Sequence, residues 1–166
     1  MNNSHDCCIA TVKSMFRVLP ENSESCPSCN QKSKVVPTSA INHFLKDDIK
    51  KNITSLEGFS FCSTSSCELV YFKNTFVIHI SDVKYSIGFK NNSHPSTVCY
   101  CFNWTKEKIQ KQLKEKGTTT ALEEIKEEIK NKKCLCEIKN PKGKCCMSDV
   151  KKTINEIKLK LSKESI

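Results

Sequence analysis

The cysteines constrain this chain more than any other residue type. Twelve occur in 166 residues, grouped as Cys7–Cys8, Cys26–Cys29, Cys62–Cys67, Cys99–Cys101, Cys134–Cys136 and Cys145–Cys146. Adjacent and alternate cysteines rarely bond to each other, because a disulfide needs a set Cα separation and Cβ orientation. Two thiolates offered from one short loop suit a metal ion instead. Hydrophobic residues make up only 37% of the chain, so the core is thin and metal ligation is expected to supply part of the folding energy. The N-terminus has neither a basic n-region nor an apolar run. No stretch approaches the roughly 20 apolar residues of a membrane span. The expectation is a cytoplasmic protein, with no membrane contact and with thiols kept reduced for metal binding.

The net charge of +9 is uneven: residues 105–166 hold 17 Lys against 10 acids. A basic half of this kind suits a nucleic acid or an acidic protein surface. The chain has a single arginine, Arg17, and base readout and bidentate phosphate contacts lean on arginine. Nucleic-acid binding is therefore not the expected role, and the lysines read as solvated helix surface. No paired carboxylates, nucleophile–base set or phosphate loop marks a hydrolytic or transferase site.

Residues 1–25 read as a tail with a short strand between Thr11 and Leu19. Residues 26–97 read as β-rich, and 98–166 as helical. A helix is expected over 38–52, capped by Thr38 or Ser39, with Ile41, Phe44, Leu45 and Ile49 on one face. Phe59 to Phe72 reads as strand, loop, strand; Asn74 marks a turn; Thr75–Ile80 and Val83–Phe89 are further strands. Trp104-Thr105 opens a helix that Gly117 stops near Lys116. Thr120 and Glu123 form a capping box for a second helix bearing Leu122, Ile125 and Ile129. Ser148 or Asp149 caps a third, with Val150, Ile154, Ile157 and Leu161 in helical register.

Cys26-Pro27-Ser28-Cys29 has the form of a zinc knuckle. Cys62 and Cys67 flank a strand–loop–strand corner and complete four soft ligands, a closed structural zinc shell. A redox dithiol at Cys26–Cys29 would want a helix opening directly after the first cysteine, and Gln31–Pro37 opens none. His43, His79 and His94 read as ordinary helix, strand and loop residues.

The helical half carries V-C-Y-C-F at 98–102, K-C-L-C-E at 133–137 and N-P-K-G-K-C-C-M at 140–147. A C-x-C pair, two helices, then cysteines opening a helix resembles the bacterioferritin-associated ferredoxin type of [2Fe–2S] domain. There, thiolates from loops at helix ends hold two irons and helix N–H groups offset the cluster's charge. The run C-P-x-C, F-C-x4-C-E-x-V-Y-F, V-C-Y-C and N-P-x-G-x-C-C resembles, over about residues 26–155, the N-terminal domain of CopZ-type copper chaperones.

The resemblance implies an α+β fold in which a small zinc-knuckle β-hairpin half precedes a helical [2Fe–2S]-binding half. It implies zinc on Cys26, Cys29, Cys62 and Cys67. It places the cluster on Cys99, Cys101, Cys136 and either Cys146 or Cys145, with Cys146 preferred because Met147 follows it. Cys134 has no place in the pattern. The implied role is single-electron transfer or metal handling in copper homeostasis, with a copper ion, a copper-carrier protein or an electron-donor protein as partners. The competing reading is a zinc-only adaptor for protein or nucleic acid. The family's chaperones continue into a copper-binding module with M-x-C-x-x-C. That motif is absent from these 166 residues, so copper delivery of that kind is not expected from them. Cys7 and Cys8, with His5 and Asp6, offer donors for a soft ion such as Cu(I); the plainer reading is a chance pair in a terminal tail.

Overall fold

A computed structural model describes residues 25–164 of the chain; the expected strand at 11–19 and the Cys7–Cys8 pair lie outside them. The architecture is α+β. Three short strands, β1 (Ser60–Phe61), β2 (Leu69–Lys73) and β3 (Phe76–His79), form an antiparallel sheet in the order β1-β2-β3. β2 is central, so both its faces are covered: Leu69, Val70, Tyr71 and Phe72 are all buried. Its apolar run therefore shows no alternation. The β2–β3 hairpin turns at Asn74, whose φ of +51° suits asparagine's tolerance of the left-handed region.

The helix expected over 38–52 is two helices, α1 (Thr38–Phe44) and α2 (Asp47–Lys50). The break at Leu45 and Lys46 has a tertiary cause. Leu45 pairs with Val83 as an isolated bridge, Lys46 N–H donates to Asp82 O (3.0 Å), and Lys84 N–H donates to Phe44 O (2.7 Å). Inter-segment hydrogen bonds replace the helical ones, while Ile41, Phe44 and Leu45 remain buried as their spacing requires. The strand expected over 83–89 is absent. Beyond the single bridge at Val83, the segment forms turns that bury Val83 and Ile87 individually. A first core gathers Ile41, Phe44, Phe59, Phe61, Tyr71 and Ile78.

The second half begins with a two-stranded ribbon, β4 (Thr97–Cys99) and β5 (Trp104–Thr105). α3 (Lys106–Lys116) follows, with Thr105 Oγ1 accepting from Lys108 N–H as its cap and Gly117 closing it at φ +69°. α4 (Ala121–Lys130) lacks the expected capping box. Thr120 has ψ near 0° rather than extended geometry, and its hydroxyl donates to Glu124, not Glu123. A one-turn α5 (Cys136–Lys139) and the long α6 (Met147–Glu164) complete the order. α6 starts one residue before the expected cap. Ile109, Leu113, Ile125, Val150 and Ile154 form a second core, with Leu122, Ile129, Ile157 and Leu161 packed at its edge. Among the described residues no helix is long and apolar enough to cross a membrane.

Candidate metal centres

The first centre is built from two tight loops. In Cys26–Cys29 the chain folds back on itself: Asn30 N–H donates to Cys26 O (2.8 Å), Cys26 N–H donates to Gln31 O (2.9 Å), and Asn30 sits at φ +60°. Cys62 lies just after β1, and Cys67 just before β2. The connecting loop is held from outside by Lys90, whose ammonium donates to Cys62 O (2.8 Å) and Thr64 O (2.9 Å), and by Asn91 N–H, which donates to Ser65 O. The four sulfurs lie within 4.8 Å of one another. Cys26–Cys67 are 3.9 Å apart and Cys29–Cys62 3.6 Å. A tetrahedral zinc with bonds of roughly 2.3 Å sets ligand sulfurs about 3.8 Å apart, so the donor set and its spacing fit zinc. Three of the four are buried, against Leu69 and Phe72.

These thiols are electrostatically unequal without metal. Burial is the largest influence on Cys62 and pushes it up to about 12. Burial also raises Cys29, but hydrogen bonds with Thr64, the Gln31 backbone and the Cys62 and Cys26 thiols outweigh it and bring Cys29 down to about 6. His43 is stacked on Tyr85, and burial, then the Lys139, Lys84 and Lys50 charges, hold it below the usual histidine range. Neither it, His79 nor His94 joins a group of metal-ligating side chains among the described residues.

The second centre draws on three segments. Cys99 ends β4 and Cys101 lies in the turn to β5, where Asn103 takes φ +53°. Cys136 opens α5, two residues after Cys134. Cys146 immediately precedes α6, and its carbonyl accepts from Val150 N–H (2.9 Å), so its sulfur stands at the positive end of an 18-residue helix. Cys101 and Cys136 sulfurs are 3.6 Å apart; Cys99 and Cys146, both buried in the second core, lie outside the group of three thiols, Cys101, Cys134 and Cys136, that falls within 4.8 Å. Cys136 is the common neighbour, raised by contacts with the Cys101, Cys134, Cys145 and Cys146 thiols. Donation from Cys136, then from Cys99, lowers Cys146 to about 5. Soft sulfur donors from three segments, half of them buried, fit an iron–sulfur group.

The loop between Cys136 and Cys145 is rigid by construction. Buried Asn140 donates through its amide to Lys144 O (2.7 Å) and accepts from Lys142 N–H (2.9 Å). Gly143 is at φ +61°, and a Cβ there would collide with Pro37 at the start of α1. Tyr71 Oη, Lys142 stacked 3.8 Å over Phe89, and Ser39 donating to Glu137 O (2.8 Å) tie this region to the first half.

Sequence reasoning missed Cys134. Its sulfur is 3.4 Å from that of Cys136, and with Cys101 the three lie within 4.8 Å of one another. The signal was present: Cys134–Cys136 has the same two-residue spacing as Cys99–Cys101. Lys90 and Tyr71 carried no comparable signal, since each acts on main-chain carbonyls distant in sequence.

Fold and sites together define a small α+β domain organised by two cysteine centres. Residues 23–84 match the CopZ family of domains described as "Zinc binding domain". The chain is 34% identical over 122 residues to the copper chaperone CopZ of Archaeoglobus fulgidus, covering 73% of this chain and 57% of that protein, so it spans little more than half that relative's length. It superposes on the X-ray structure of the A. fulgidus CopZ N-terminal domain with a TM-score of 0.63 and 27% identity, covering 78% of this chain and 96% of that domain. The chain resembles the N-terminal domain of CopZ-type copper chaperones.

Proposed function

We propose that this chain is a metal-handling domain of copper homeostasis, with zinc on Cys26, Cys29, Cys62 and Cys67 and a [2Fe–2S] cluster on Cys99, Cys101, Cys136 and Cys146. The observation that carries the reading is the difference between the two centres. The first is a closed four-thiol shell suited to structure. The second draws on six thiols from three segments, of which Cys101, Cys134 and Cys136 lie within 4.8 Å of one another, and Cys101, Cys134 and Cys145 are half-buried. When bound, a cluster supplies one-electron redox chemistry. The client is copper, taken from Cu(II) to Cu(I), with the electron drawn from a reduced carrier protein. Similarity to a copper chaperone supports that client.

The protein's own groups shape the site. Leu135 N–H donates to Cys101 Sγ (3.3 Å), which stabilises negative charge on that sulfur. The α6 N-terminus does the same for Cys146. Anaerobically purified protein is expected to be red-brown, with about two irons, equal sulfide and one zinc per chain. Cys146→Ala should lose the iron while Cys145→Ala keeps it. Two zincs and no iron after reconstitution would favour the zinc-only adaptor instead.

A further inference from the structure

We infer that Cys134 is a built-in alternative to Cys136, so that the second centre can hold its cluster through either thiolate. The inference rests on the cluster reading above and deepens it. A [2Fe–2S] cluster takes four cysteine thiolates, and this half of the chain supplies six. Cys99 and Cys146, both buried in the second core, form one pair. The other pair is Cys101 with one member of Cys134–Cys136. Both members lie near Cys101. Cys136 Sγ is 3.6 Å from Cys101 Sγ and Cys134 Sγ is within 4.8 Å of it, against the roughly 3.8 Å that two metal–thiolate bonds of about 2.3 Å set at a tetrahedral metal. The two are only 3.4 Å apart.

They differ in surroundings. Cys136 is 2% exposed and fixed at the first turn of α5, whereas Cys134 is half-exposed in the preceding turn, where Lys132 takes φ +57°. Leu135 between them is 48% exposed and holds Cys101 through its N–H. A shift of this segment by about the 3.4 Å that separates the two sulfurs would bring Cys134 to the place that Cys136 holds beside Cys101. Exchange breaks one iron–thiolate bond and makes another. The proton of the incoming Cys134 thiol passes to the outgoing Cys136 sulfur, and no electron is gained or lost. Cys134 thus gives the centre a more exposed ligand in place of the buried Cys136.

The test is reconstitution of the full chain with iron and sulfide, reading iron, sulfide, visible absorption and paramagnetic resonance after reduction. One zinc per chain in each variant confirms an intact first half. Cys134→Ala and Cys136→Ala should each keep most of the wild-type iron, with altered spectra in Cys136→Ala. The double variant should lose about tenfold or more of it. If Cys136→Ala misfolds, Cys136→Val, which fills the site with no ligating atom, serves in its place. Iron loss in either single variant overturns the exchange while leaving a bound cluster intact; iron retained in the double variant overturns the exchange and Cys136 as a ligand with it. A wild-type chain that takes up no iron overturns both.

Discussion

Tyr71 Oη donates to the carbonyl of Pro141 at 2.9 Å, across 70 residues of sequence. The bond is buried. It joins the central strand of the sheet to the loop between Cys136 and Cys145, so the strand that helps bury the first centre also positions the second. Burial, the largest influence, holds the Tyr71 phenol well above the usual tyrosine range, so it remains a donor throughout physiological pH. Tyr71→Phe leaves the Pro141 carbonyl without this partner. The expected cost is about 1–2 kcal/mol, measured as the urea midpoint of the zinc-loaded protein, with faster loss of iron in air. An unchanged midpoint would refute the link.

Gly143→Ala should be more severe. A side chain at φ +61° costs about 1–2 kcal/mol from backbone strain alone. The added methyl also meets Pro37, so the loop and α1 must separate. Iron content should fall while zinc at the first centre is retained. Metal analysis of the purified variant decides it, and wild-type iron with wild-type stability would count against the close approach.

Lys90 is 5% exposed, and among the described residues no carboxylate forms an ion pair with it. A zinc held by four thiolates carries a net double negative charge, and the ammonium bonded to Cys62 O and Thr64 O lies beside it. Lys90→Met should weaken zinc binding about 10–100-fold, read by competition with a chromophoric chelator. Unaltered affinity would mean that Lys90 serves folding alone.

Cys29 gives the metal-free protein a pH signature. Its pKa in the fold is about 6, against an ordinary thiol value of 9.0. The folded state therefore binds fewer protons there than the unfolded state. The stability this contributes is fully present above pH 9.0 and is lost as pH falls through about 6. Cys62, raised to about 12, behaves in the opposite sense and holds its proton up to strongly alkaline pH. Alkylation of metal-free protein at neutral pH, followed by peptide mass spectrometry, should modify Cys29 well before Cys62. Equal rates would contradict the inequality.

Much of this was readable from residues alone, and for a local reason. Tight cysteine spacing is a covalent constraint: Cys26-Pro27-Ser28-Cys29 offers two sulfurs to one point whatever else the chain does. Helical periodicity likewise placed Ile109, Leu113, Val150 and Ile154 in the second core, and Thr105 and Gly117 bound α3 through their own backbone preferences. The α+β order of a strand-rich half followed by helices came from the same patterns.

Long-range contacts decided the rest. The bridge from Leu45 to Val83 cut one expected helix in two, because its hydrogen bonds lie outside any local window. Cys134 entered the second centre only once the turn after α4 was set against Cys101. Lys90 and Tyr71 acquired roles because packing removed water from carbonyls that then required donors. Sequence by itself determined which atoms could bind metal and roughly where helices and strands would lie. Tertiary structure alone decided which thiols meet, because a sulfur–sulfur distance depends on how distant segments pack, and pair spacing carries no record of that.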